Sequence, residues 1–108
     1  MMQLSFRILL MTMRPSVALH ARRYAVLAAT QRFGVSNPRV FGSVLRGTDT
    51  EGSDLDLLVD AKPGTTLFDL GGLKDELEEA LGITVDVLTP ADLPAKFRAA
   101  VLAEARAI

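Results

Sequence analysis

The run Ser53-Asp54-Leu55-Asp56-Leu57-Leu58-Val59 constrains this chain more than any other stretch. Its apolar and charged residues alternate with the period of a β-strand, so Leu55, Leu57 and Val59 face one side and Asp54, Asp56 and Leu58 the other. Two carboxylates two residues apart on one strand face stand roughly 6.5–7 Å apart along the backbone. Such a pair suits Mg²⁺, which takes oxygen ligands and shares its shell with substrate phosphates.

Around that strand the chain reads as one small α/β domain. Pro15-Ser16 opens a helix whose apolar stripe is Val17, Ala21, Tyr24 and Leu27, placing Tyr24 in the core; Gly34 ends it and Ser36-Asn37-Pro38 forms a turn. Arg39-Val40-Phe41 is a short strand running into Gly42-Ser43, followed by one helical turn stopped at Gly47. Lys62-Pro63-Gly64 is a turn. Leu70, Leu73, Leu77 and Leu81 form a second helical stripe closed by Gly82, with the acidic residues Asp75–Glu79 on a solvated face and Gly71-Gly72 weakening the first turns. Ile83 to Leu88 is the third strand, stopped by Thr89-Pro90. A last helix from about Pro94 carries Phe97, Val101 and Ala105 on one face. This order predicts a small mixed sheet, partly parallel, with helices packed against it.

Bulk properties exclude several classes. The chain has 108 residues, a formal net charge of −1 and no cysteine. That size allows one core and leaves little material to enclose an active site on all sides. The charge balance does not suggest direct nucleic-acid or membrane binding. The missing cysteine rules out disulfides, thiolate zinc sites and thiol catalysis, and fits a cytoplasmic setting. The apolar stretch at Ile8–Met11 is too short for a signal-peptide core or a membrane span. Residues 1–12 are expected to be an extension outside the fold, with the domain occupying 13–108.

The second informative motif is Phe41-Gly42-Ser43-Val44-Leu45-Arg46-Gly47. Gly42 leaves the backbone open to an approaching anion, and Ser43 adds a hydroxyl. A helical turn starting there points its free amides at the same place, where polyphosphate binds well. Arg46 either adds charge for a triphosphate or is an ordinary surface arginine. Ser43 precedes Asp54 by eleven residues, and Asp86 follows Asp56 by thirty. Asp86 sits mid-strand between Val85 and Val87, where an unpaired carboxylate is costly; a metal relieves that cost, as does a structural partner. Ser53 either caps a turn or contacts substrate.

Together these motifs resemble the polymerase-β-type nucleotidyltransferase superfamily, and within it the minimal nucleotidyltransferases found beside HEPN-domain toxins. The resemblance covers roughly Pro15 to the C-terminus. It implies that Gly42 and Ser43 grip the triphosphate, that Asp54 and Asp56 bind two Mg²⁺ ions, and that Asp86 completes the site as metal ligand or general base. It also implies an antitoxin that transfers AMP from ATP to a tyrosine of a HEPN toxin. Many relatives carry a small residue where this chain has Leu45, a difference expected to alter packing behind the loop and not the ligands.

Haloacid-dehalogenase-type phosphatases need Thr or Val where Leu58 stands, and nucleotide-sugar glycosyltransferases are far longer. Asp49, Glu51 and Asp60 read as solvated, and His20 as structural. An alternative to catalysis is a binding module that neutralises a toxin by covering it. Transfer to a small molecule such as an aminoglycoside is weakened by the lack of an acceptor-binding domain.

Overall fold

The computed structural model describes residues 13–108; the extension expected over 1–12 lies outside them. Helix α1 (Pro15–Ala21) starts with Pro15 in its first turn, where the missing N–H costs nothing. The single helix expected from the sequence is broken at Arg22 (φ −120°, ψ 27°), and α2 (Arg23–Arg32) follows. The break changes the rotational phase of the buried face, which is made by Ala18 and Leu19 and then by Val26, Ala29 and Thr30. The stripe through Val17, Ala21 and Tyr24 faces outward instead. Tyr24 is 80% exposed, with the Arg23 guanidinium 5.6 Å from its ring centre, so it is not a core residue.

Strand β1 (Val35–Phe41) begins earlier than expected and absorbs the Ser36-Asn37-Pro38 segment. Ser36 lies opposite Asp60 and Arg39 opposite Leu58, three steps on one strand against two on the other. The turn signal is therefore spent on a β-bulge: Asn37 takes the left-handed conformation (φ 53°) and Pro38 needs no ladder partner for its nitrogen. Next come the short helix α3 (Gly42–Arg46), closed by Gly47 as expected, and strand β2 (Leu55–Ala61).

Helix α4 (Leu67–Leu81) opens with a reciprocal capping box between Thr66 and Asp69. Its stripe of Leu73, Leu77 and Leu81 is fully buried, each such Leu being worth about 1.5–3 kcal/mol of apolar transfer. Gly72 lies so close to the Phe33 ring that a Cβ there would meet Cε1 at 2.6 Å, so this glycine sets how near α4 comes to the end of α2. Strand β3 (Val85–Leu88), a 3₁₀ turn at Pro90–Asp92, helix α5 (Ala95–Glu104) and strand β4 (Arg106–Ala107) complete the chain.

The four strands form one mixed sheet in the order β3-β2-β1-β4. β1 runs antiparallel to both neighbours, while β2 and β3 are parallel, joined by the α4 crossover. One face carries the main core, where Leu55, Leu57, Val59 and Val85 pack with Ala18, Val26, Ala29 and the α4 leucines. β4 was not expected. It is held by pairing with Arg39 and Val40, and the terminal Ile108 donates its N–H to the Pro38 carbonyl (3.2 Å) and accepts from Arg23 (2.9 Å).

Candidate active site

Parallel pairing of β2 with β3 sets Asp56 directly beside Asp86, with Leu55 beside Val85 and Leu57 beside Val87. Register partners share a sheet face, and adjacent strands run roughly 4.8 Å apart. Asp86 is thus on the carboxylate face and not across the sheet from it. Phe41 is the antiparallel partner of Asp56 on the other side, so the chain leaving β1 passes immediately over this carboxylate. There Gly42 adopts φ +71°, and a Cβ on it would lie 2.1 Å from Asp56 Oδ2. Only glycine fits both the conformation and the approach.

Electrostatics mark the same spot. The Asp56 carboxyl is held above its ordinary range by burial first, then by the nearby charges of Asp86 and Asp54 and a hydrogen bond with Asp86; Arg46 pulls weakly the other way. Asp54 is exposed at the mouth of β2. Among the described residues no three Asp, Glu, His or Cys side chains already converge as a metal-ligand set. The residues nonetheless suit a divalent cation. Two hard oxygen donors are paired on one face, a third stands within electrostatic reach, and their mutual repulsion is what a cation relieves.

The approach loop is built by Ser53 in the turn-capping role the sequence offered for it, and by Asp49, whose role the sequence concealed. Ser53 Oγ accepts from the Thr50 N–H (2.9 Å), and Ser53 N–H donates back to the Thr50 carbonyl (3.0 Å). Its hydroxyl thus closes the turn that delivers Asp54. Asp49, read as solvated, is only 3% exposed and accepts from the Ser16 N–H at 2.8 Å. It caps the first turn of α1 from thirty-three residues away, beside the positive end of that helix. Burial pushes its carboxyl up, but the Ser16 amide, the Ser16 hydroxyl and Arg14 outweigh this and leave it below the ordinary value.

Asp60 is not free either, accepting from Arg39 (2.6 Å) and Asn37 (3.0 Å). His20 and Glu51 are exposed. Glu78, assigned to a solvated helix face, in fact works on the sheet edge. It accepts from the Val85 N–H (2.9 Å) and from Lys74 Nζ (2.8 Å), and Lys74 in turn donates to the Val85 carbonyl (2.7 Å). The pair takes the place of a neighbouring strand at the residue next to Asp86. An i, i+4 charge pair on an acidic helix is a faint signal for this, because only the fold shows that a strand edge lies beneath it.

Arg46, exposed at the end of α3, lines a cavity of about 460 Å³ with Leu45, Ala103, Glu104, Ala105 and Arg106. This cavity lies between the C-terminal end of α3 and the C-terminal end of α5. No side chain caps α3, so its leading amides keep their capacity for an anion.

A glycine-serine turn thus touches a strand aspartate, and a second aspartate is paired beside it on the same face. Residues 25–108 match the nucleotidyltransferase domain family, and the chain belongs to it. The protein adenylyltransferase MntA of Thermococcus cleftensis is 39% identical over 74 residues, covering 68% of this chain and 75% of that protein. A Methanocaldococcus jannaschii protein with a provisional protein adenylyltransferase name is 50% identical over 58 residues, covering 54% of this chain and 62% of the relative's length. Among solved structures, one described provisionally as a minimal nucleotidyltransferase superposes with a TM-score of 0.78 at 46% identity, covering 86% of this chain and 95% of that one. Another, a toxin-antitoxin with AMP-PNP, shares the fold with a TM-score of 0.65 at 20% identity, covering 76% and 68%.

Proposed function

We propose that this nucleotidyltransferase transfers AMP from ATP to a hydroxyl on a partner protein, a HEPN-type toxin in the cytoplasm, and so acts as an antitoxin. The observation that carries the reading is the contact of Gly42 with Asp56, which puts the Gly42-Ser43 turn against the Asp56–Asp86 pair. The protein adenylyltransferase name of the Thermococcus relative supports AMP as the group and a protein as the acceptor. The toxin-antitoxin neighbour with AMP-PNP shows that this fold is used in such an assembly. No helix among the described residues is long and apolar enough to cross a membrane.

In this mechanism the Gly42 backbone and the Ser43 hydroxyl hold the triphosphate, and Arg46 offsets its charge. Ser53 serves the nucleotide site by fixing the turn before Asp54. Asp54, Asp56 and Asp86 would hold two Mg²⁺ ions, which when bound stabilise the attacking and leaving oxygens of an in-line displacement. The acceptor oxygen attacks the α-phosphorus, its proton passes to Asp86, and the bond to the pyrophosphate oxygen breaks.

The test is incubation with labelled ATP, Mg²⁺ and the protein encoded beside it. Wild type is expected to label that protein, and Asp54→Asn/Asp56→Asn to lose labelling by about a hundredfold to a thousandfold or more, the scale on which electrostatic groups act in transfer reactions. Equal absence of label in both proteins contradicts the reading. Protection of cells by the double variant as good as that by wild type would instead favour neutralisation by binding alone.

A further inference from the structure

We infer that α5 is the docking surface for the protein that brings the acceptor hydroxyl, and that this partner presents an apolar surface rimmed by acidic groups. The inference rests on the protein-acceptor reading above. Ala95–Glu104 is rich in Ala, with Phe97, Val101 and Leu102, yet none of its residues is buried. Phe97 is 54% exposed and Leu102 38%. A ten-residue helix is marginal in water by itself, and one that is apolar around much of its girth belongs under a cover.

Its position is nevertheless fixed, by polar contacts that leave the apolar side chains unused. Arg98 Nε donates to the Pro90 carbonyl and its terminal nitrogen to the Leu93 carbonyl, both at 2.9 Å, while β4 ties down the far end. Among the described residues the helix is thus held in place and left uncovered.

Three observations identify the occupant. First, the C-terminal end of α5 shares a cavity with Leu45 and Arg46, so whatever lies along the helix reaches the end of the short helix that Gly42 and Ser43 begin. Second, the segment 95–107 carries Lys96, Arg98 and Arg106 against Glu104 alone, in a chain whose overall charge is −1; this favours an acidic rim on the partner. Third, a second copy is a poor fit. A helix about 15 Å long and about 10 Å wide offers a footprint of order 150 Å², against roughly 800 Å² per partner in a stable interface. A two-fold contact centred near the start of the helix would also bring Lys96 close to its own copy. The exposed pair Leu67 and Phe68 begins α4, beyond the end of β2 remote from Asp54 and Asp56, and makes a control surface.

The full chain is purified as wild type, Phe97→Glu, Leu102→Glu and Phe68→Glu. Titration calorimetry then measures each against the protein encoded beside it and, separately, against ATP with Mg²⁺. The expected result is partner binding weakened by about tenfold or more in the first two variants, as for anchor residues at an interface, with ATP affinity unchanged and Phe68→Glu like wild type. Equal partner affinity in all four overturns the inference while leaving the transfer reading intact. So does a dimeric wild type that Phe97→Glu splits, since that gives α5 to a second copy. Nucleotide binding without any partner binding removes the protein-acceptor reading, and this inference with it.

Discussion

Gly42 and Asp56 act as one unit. A methyl group at Gly42 would have to displace the carboxylate it meets at 2.1 Å, in a conformation that already disfavours a side chain. Gly42→Ala is therefore expected to reduce transfer by about a hundredfold or more, since shifting a reacting group by an ångström costs that much. Its stability cost should be smaller, about 1–2 kcal/mol from the left-handed backbone. Labelled-ATP transfer and urea unfolding, measured side by side, check the separation. A variant with near-normal transfer would show that Asp56 does not need the place it occupies.

The elements are held in register by carboxylates that look idle in the sequence. Lys74 and Glu78 engage the outer edge of β3 at Val85, next to Asp86, and Asp49 joins the loop before β2 to α1. Glu78→Ala strips the Val85 amide of its partner and should cost about 1–2 kcal/mol, with a loss of transfer as the edge beside Asp86 loosens. Unfolding free energies and transfer rates of the variant measure both effects; unchanged values in each would leave the clamp without a role.

The pH dependence has a definite sign. The Glu78 carboxyl is lowered by Lys74 and the Val85 amide, and Asp49 is lowered on balance despite its burial. A depressed folded-state value means stability that is fully present above the ordinary values of 4.5 and 3.8 and is lost as pH falls through the folded ones. Asp49→Asn/Glu78→Gln should accordingly show a flatter fall of unfolding free energy between about pH 5 and pH 2 than wild type. An equally steep fall would assign the acid sensitivity to other groups.

At the scale of the whole molecule, the sheet was legible because its pattern is local. Alternation in β2, the leucine stripe of α4 and the glycines closing α3 and α4 each carry their meaning within a few residues. The Asp54-x-Asp56 pair and Gly42-Ser43 were legible for the same reason, and Asp86 because a charge stands out in an apolar strand. What escaped depends on contacts made across the chain. Tyr24 left the core because the helix breaks at Arg22. The Ser36–Pro38 segment became a bulge because β2 pairs through it. β4 forms because residues 106 and 107 find Val40 and Arg39, Asp49 found an amide thirty-three residues away, and Glu78 found one seven residues on, across the turn into β3.

In the proposed reaction Asp54, Asp56 and Asp86 gather divalent cations beside a triphosphate on the Gly42-Ser43 turn. Crystals of the protein grown with Mn²⁺ and a non-hydrolysable ATP analogue test it through the anomalous signal of the metal. The account predicts manganese within about 2.0–2.3 Å of carboxylate oxygens from all three aspartates, with the phosphates against Ser43. Nucleotide bound there with its metal away from these side chains, or Asp54 left pointing to solvent, would contradict it.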